Sequence, residues 1–98
     1  SLVGSEMCKE TALEALQKLI PVIEGVEDFT AENIHDALFK QIEADGVKNG
    51  LYLYPLRVAL SGKAVTPGGG VELAKILGKQ DTLDRMRKAV EKLTAEIG

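Results

Sequence analysis

The sequence predicts an all-α fold, with about five short helices packed into a compact, bundle-like domain. Apolar residues recur at steps of three and four along most of the 98 residues, which is the spacing of one buried helical face. The one stretch that alternates aromatic and aliphatic residues, 51–54, has no second alternating stretch with which to pair. Because an isolated strand is not stable in water, this stretch does not predict a sheet.

The first helix is predicted to begin at Cys8, a small residue expected on the buried face. The rest of that face is Ala12, Leu16, Leu19, Ile20 and Ile23. Pro21 has no backbone N–H, so the helix is expected to end or kink near residues 19–20. Residues 1–7 have weak periodicity and are expected to be a disordered end or a domain boundary, which leaves residues 8–98 as a single helical domain.

The second helix has a clear start signal. Thr30 is a good N-cap, and Phe29 and Ile34 are spaced to form a hydrophobic staple around it. Its buried face is formed by Ile34, Leu38 and Ile42. Asp45–Gly46 is expected to end the helix and Asn49–Gly50 to turn the chain.

A short third helix is predicted through Leu56–Leu60. The stretch Leu51–Tyr54 is interpreted as an extended lead into this helix, with Pro55 as its first residue and Gly62 as its stop. The glycine-rich stretch 63–70 then opens onto a fourth helix, Val71–Leu77, which Gly78 is expected to end.

The last helix is predicted to begin near Asp81, with Asp81 as its cap. Its inner face is predicted to be Leu83, Met86, Val90, Leu93 and Ile97. Its basic residues Arg85, Arg87, Lys88 and Lys92 are expected to lie largely outside that face.

The charge is unevenly distributed along the chain. Residues 1–45 contain three lysines against ten acidic residues, whereas residues 46–98 contain nine Lys and Arg against five acidic residues. The net charge of −3 therefore combines an acidic first half with a basic second half. Such a split is typical of a protein with one face toward a polyanion, although lysines scattered over ordinary helical surfaces give a similar pattern.

The residue inventory argues against catalysis and metal binding. The chain has one cysteine and one histidine, far apart in sequence, so a Cys/His zinc site is excluded. His35 lies within a predicted helix and Cys8 near the start of another, and neither has the partners that a nucleophile and its base require. No apolar run is long enough to span a membrane, and no secretory signal is evident.

Three features are candidates for ligand contacts. Arg57 is predicted in the first turn of its helix, where the dipole disfavours a cation, and this favours either an acidic partner or an anionic ligand. Tyr52 and Tyr54 lie on its N-terminal side and are expected either to stack on bases or to be partly buried. The run Thr66–Gly70 before a helix permits close backbone approach to a ligand, but taken alone a plain connecting loop is the better interpretation.

These segments resemble one family when they are taken in order. Tyr54–Gly62 resembles the Pro-Leu-Arg-x-Ala-Leu-Thr-Gly segment of bacterial-type glutamyl-tRNA synthetases, with Ser61 in place of the threonine. Thr66–Gly68 follows at the family's spacing. Ile76–Lys79 and Leu83–Arg85 are similar to its Leu-Gly-Lys-Glu-x-x-x-x-Arg-Leu ending. The resemblance is strong over residues 29–98, and its most specific motifs lie in 50–98.

The resemblance implies the C-terminal anticodon-binding domain of a class I aminoacyl-tRNA synthetase. The implied parent joins glutamate to glutamate tRNA in the cytoplasm with ATP and Mg²⁺, through an upstream catalytic domain. The implied tRNA-binding residues of this chain are Arg57, Thr66, Pro67 and Gly68, with possible further contacts from Tyr54, Lys63 and Gly69. Catalytic, metal and cofactor sites are expected to be absent from the chain itself.

The departure from the family lies at Gly69 and Gly70, where many relatives carry bulky apolar residues. Backbone amides are therefore expected to replace a stacking contact at that point. The alternative function is a helical protein-interaction domain that binds no RNA. DNA reading is disfavoured because no helix carries several polar or basic residues on its first turns.

Overall fold

A computed structural model describes residues 8–61 and 69–97, and α-helices account for most of them. The helices are α1 (Lys9–Glu24), α2 (Ala31–Asp45), α3 (Asn49–Ser61), α4 (Gly70–Leu77) and α5 (Lys79–Ile97). The predicted all-α fold with five helices is confirmed over these two ranges. The expectation for residues 1–7 lies outside the described residues.

A single hydrophobic core lies where α1 packs against α5 and α3, with α2 and α4 closing the other side. The α1 and α5 helices run antiparallel, because Lys9 pairs with Glu96 at one end (3.1 Å) and Glu24 with Arg87 at the other (3.3 Å). The largest fully buried side chains come from all helices except α4 and include Leu16, Leu19, Ile23, Ile34, Leu38, Leu56, Leu60, Met86 and Leu93. Each such side chain contributes about 1.5–3 kcal/mol on burial.

The α1 helix continues through Pro21 instead of ending before it. The proline removes only one backbone donor, and the continuing turn places Ile23 in the core with no exposed surface. The expected end near residues 19–20 is therefore wrong. Cys8 is also not on the buried face, because it is the exposed N-cap residue of α1.

The boundaries of α2 follow the prediction. The backbone N–H of Asn33 donates to the hydroxyl of Thr30 at 3.1 Å, so Thr30 caps the helix as expected. Gly46 ends it in the left-handed conformation, with φ of 65°. Glycine is the residue that adopts this conformation without steric cost.

The α3 helix begins six residues earlier than predicted, at Asn49, and this is the main correction to the fold. The stretch Leu51–Tyr54 is helical and Asn49–Gly50 is its first turn, so neither an extended lead nor a turn is present. Pro55 lies within the helix, where its fully buried ring packs in the core and offsets the lost hydrogen bond. The predicted stop, Gly62, lies outside the described residues.

The α4 helix ends at Gly78, which has φ of 87°, as predicted. The α5 helix begins two residues before Asp81, so Asp81 lies in its first turn and does not cap it. Ile97 is 39% exposed instead of buried. Glu96 pairs with Lys9, the first residue of α1, so Ile97 lies at the end of α5 where the packing against α1 stops. Ala89 is part of the core, although it was not among the residues predicted for the inner face of α5. No helix in the two described ranges is long and apolar enough to cross a membrane.

Candidate nucleic-acid interface

The candidate residues that the structure describes lie on α3 and at the start of α4. Tyr54 and Arg57 are three residues apart on α3, so they lie next to each other on the helix surface. Gly69 is the N-cap residue of α4. The other four candidates, Lys63, Thr66, Pro67 and Gly68, lie outside the described residues.

Gly70 brings the start of α4 against α3 beside Arg57. A Cβ atom at Gly70 would lie 3.1 Å from Leu56 Cδ2 and 3.8 Å from the backbone nitrogen of Arg57. A Cβ at this distance would force Leu56 to move by a few tenths of an ångström, so a residue without a side chain fits best here. The first backbone N–H groups of α4, which no side chain caps, therefore lie near the part of α3 that presents Arg57.

Arg57 lies in the third turn of α3, not in the first, because the helix begins at Asn49. The positive end of the helix dipole therefore does not penalise this cation. The Nε atom of Arg57 and the hydroxyl of Tyr54 are both buried, and neither has a hydrogen-bond partner in the described part of the chain.

The guanidinium of Arg57 is held over the ring of Tyr54, with its central carbon 5.8 Å from the ring centroid. This is the distance of a cation–π contact. Arg57 forms no ion pair with any acidic residue of the described ranges. A buried donor without a partner costs about 1–3 kcal/mol, and the described residues hold no acidic partner of the kind that the sequence left open.

Two side chains of α5 fix the ends of α3 and α4. Arg85 Nη1 donates to the carbonyl of Leu60 at 2.8 Å, in the last turn of α3. Thr82 Oγ1 donates to the carbonyl of Ala74 at 3.3 Å, in the last turn of α4. The α5 helix therefore fixes the end of α3 and the end of α4. In sequence, the four candidates outside the described residues lie between these two helices. Arg85 is exposed, as its place outside the apolar face predicts, but no pattern in the sequence indicates this contact.

Tyr52 does not belong to the candidate interface. Its side chain is 4% exposed, and its hydroxyl donates to Asp45, which also accepts from Gln41 at 3.0 Å and Lys18 at 3.4 Å. Burial, followed by the bond to Asp45, raises the pKa of Tyr52 to about 12. The same bond, followed by that from Gln41, lowers the pKa of Asp45.

Part of the acidic half of the sequence lines a groove on α1 and α2. The α1 and α2 helices and their connection line an open groove of about 660 Å³, with apolar residues such as Val22 and Val26 at its floor. Its charged residues are Glu27, Asp28, Asp36 and Lys40. Three of these four charges are negative, so the groove itself is unfavourable for a phosphate backbone.

Within residues 8–61 and 69–97, no three or more His, Cys, Asp or Glu side chains are grouped so that they could hold a metal ion. His35 instead stacks on Phe39, with ring centroids 4.1 Å apart, and is half exposed.

Comparison with known proteins gives a consistent result. A family model described as an anticodon binding domain matches residues 3–90. The chain is 48% identical over 88 residues to a glutamate–tRNA ligase of Clostridium tetani. The matched stretch covers 90% of this chain and 18% of that protein. It is 46% identical over 84 residues to the glutamate–tRNA ligase of Clostridium acetobutylicum, with 86% and 17% covered. The chain therefore spans less than a fifth of the length of these relatives.

Proposed function

The chain belongs to the anticodon binding domain family, and from this membership we propose that it reads the anticodon loop of glutamate tRNA within a longer glutamate–tRNA ligase. In that protein, a catalytic domain upstream of this module would join glutamate to the tRNA in the cytoplasm, with ATP and Mg²⁺. The module itself supplies no catalytic residue. Its task is to bind the anticodon end, so that the other end of the tRNA is positioned for reaction.

The observation that supports this proposal best is the state of Arg57. Its guanidinium is oriented by Tyr54, and its buried Nε has no partner within the described residues. A guanidinium presents a planar fork of donors that fits a base edge or phosphate oxygens in two parallel hydrogen bonds. Arg57 is thus proposed to bond an anticodon base or the phosphate beside it.

The other contacts are proposed to surround Arg57. Thr66, Pro67 and Gly68 would present their backbone against a neighbouring base, and Lys63 would meet a phosphate. Gly69 leads into the uncapped start of α4, where backbone N–H groups and the helix dipole favour an anionic group. Tyr54 is proposed to act mainly through Arg57, because its ring is already covered by the guanidinium.

The alternative, a protein-interaction domain without RNA binding, is disfavoured. It leaves the family membership without explanation. The proposed partners are the tRNA and the rest of the same longer protein. Neither DNA nor a membrane is proposed as a partner.

A titration tests the proposal directly. The 98-residue chain is titrated with glutamate tRNA and with the same tRNA altered only in its anticodon, at equal salt. Tighter binding of the unaltered tRNA supports anticodon reading. Equal binding of both tRNAs, or binding of neither, would overturn it.

A further inference from the structure

Two lysines of α5 form a basic strip beside the candidate interface. Lys88 and Lys92 are both exposed, and they follow Arg85 at steps of three and four residues. On a helix this spacing places all three side chains along one face, over about 10 Å. We infer that Lys88 and Lys92 contact the phosphate backbone of the RNA whose anticodon the chain is proposed to read.

The position of the strip follows from Arg85. Its bond to the carbonyl of Leu60 fixes the near end of this face of α5 at the last turn of α3. Arg57 lies one turn before Leu60, and Ser61 ends the helix. The strip therefore begins next to the segment that is proposed to hold the anticodon and leads away from it, as a flanking strand of RNA would.

Lys88 and Lys92 differ from the other lysine and arginine residues of α5 in having no partner among the described residues. Arg87 is neutralised by Glu24 at 3.3 Å and lies 3.8 Å from Asp84, and Lys79 donates to the carbonyl of Val26. Lys88 and Lys92 have neither an ion pair nor a hydrogen bond among the residues that the structure describes.

The two lysines lie one helical turn apart, and Asp84 and Glu96 lie one turn beyond them at either end. Like charges four residues apart on a helix repel each other and weaken the helix slightly. A phosphate near both ammonium groups removes this repulsion. Because an ammonium is a compact point charge, the contact would add affinity without reading sequence. The strip thus has the chemistry of a backbone contact, which is distinct from the base contact proposed for Arg57.

The inference rests on the proposed function, and one experiment tests both. The probes are the anticodon stem-loop RNA of glutamate tRNA and a stem-loop with a changed anticodon, each titrated over a range of salt concentrations. The variant Lys88→Gln/Lys92→Gln is compared with Lys40→Gln/Lys48→Gln, which removes the same charge. Lys40 and Lys48 are exposed, and Lys48 precedes α3 at the end remote from Ser61, about 20 Å away along the helix. Helicity of both variants is checked by circular dichroism.

Lys88→Gln/Lys92→Gln is expected to lower the slope of log K against log salt by about 1.4, because each phosphate contact to a single strand contributes about 0.7. The preference for the unaltered anticodon is expected to remain, and the Lys40/Lys48 variant is expected to keep the wild-type slope. Equal slopes for the two variants would overturn the inference. If the wild-type chain binds both stem-loops equally, anticodon reading fails. The salt slopes of the two variants alone then decide whether Lys88 and Lys92 contact phosphates.

Discussion

The hydroxyl of Tyr52 donates to a carboxylate oxygen of Asp45, which joins the first turn of α3 to the last residue of α2. Lys18 of α1 reaches the same oxygen, so three helices meet at one carboxylate. Because Tyr52 is buried and Asp45 only 18% exposed, water competes weakly for these bonds. This cluster explains why α3 begins so early, since Tyr52 reaches Asp45 from within a helical first turn.

Tyr52→Phe is expected to lower the melting temperature by a few degrees at neutral pH, because it leaves Asp45 without its principal donor. Asp45 has a lowered pKa in the folded state. Its stabilising contribution is therefore full above the ordinary value of 3.8 and is lost as the pH falls from there through the lowered folded value. Melting curves at neutral and acidic pH should show a smaller acid loss in the variant than in the wild type.

The matched control for this prediction is Tyr54→Phe. The hydroxyl of Tyr54 has no partner in the described part of the chain, so its removal should not lower the melting temperature. An equal loss in both variants would show that the bond to Asp45 does not stabilise the fold.

Tyr52 is expected to lose its proton near pH 12. The chain has two tyrosines, so a Tyr54→Phe variant reports Tyr52 alone when tyrosinate absorption is followed with pH. A raised folded pKa means that stability is full below the ordinary value of 10.0 and is lost as the pH rises through about 12. A midpoint near 10 in a chain that is still helical would contradict the burial of this side chain.

The helices and most of the core could be predicted from the sequence, because apolar spacing directly reports which face is buried. The ends of α2 and α4 followed from Thr30, Gly46 and Gly78, residues whose local chemistry sets the boundary by itself. The larger errors lie at Pro21 and Pro55, and smaller ones at Cys8, Asp81 and Ile97. A proline weakens a helix locally, but tertiary packing of neighbouring side chains decides whether the helix continues.

Only part of the candidate interface could be predicted from the sequence. A family resemblance identified Arg57, whereas its position in the third turn and its contact with Tyr54 depend on where α3 begins. The anchoring bond from Arg85 to Leu60 joins residues 25 apart. No spacing rule predicts such a contact, because it depends on how α5 packs against α3.

Pro21→Ala is expected to stabilise the chain by about 1–2 kcal/mol, because alanine restores a backbone donor inside α1. Pro21 is exposed, so little packing is lost. Pro55→Ala is the comparison, since it restores a donor in α3 but removes a buried ring. Its melting temperature should be unchanged or lower. Denaturant unfolding measures both, and a stabilised Pro55→Ala would show that this ring contributes little to the core.

Gly70→Ala is expected to destabilise the fold by about 1 kcal/mol, because the added methyl group would lie 3.1 Å from a side-chain atom of fully buried Leu56. Gly50→Ala is the control, since Gly50 is also in the first turn of a helix and its Cβ would meet nothing within 4 Å. That substitution should stabilise by about 0.5–1 kcal/mol. If the two variants change the free energy of unfolding equally, α4 does not approach α3 as closely as described.

Arg57→Ala is expected to weaken binding of the unaltered anticodon stem-loop by about 1–3 kcal/mol, the worth of a bidentate contact to a base. Binding of the stem-loop with a changed anticodon should weaken less, so that discrimination falls. The fold should survive, because Arg57 forms no ion pair within the described ranges and its Nε no hydrogen bond. Arg57→Lys keeps the charge but loses the fork of donors, so it should restore part of the affinity and little of the discrimination. Binding and melting temperature are measured on the same preparations. A lowered melting temperature with unchanged discrimination would assign Arg57 to the fold, and full rescue by lysine would reduce its role to that of a charge.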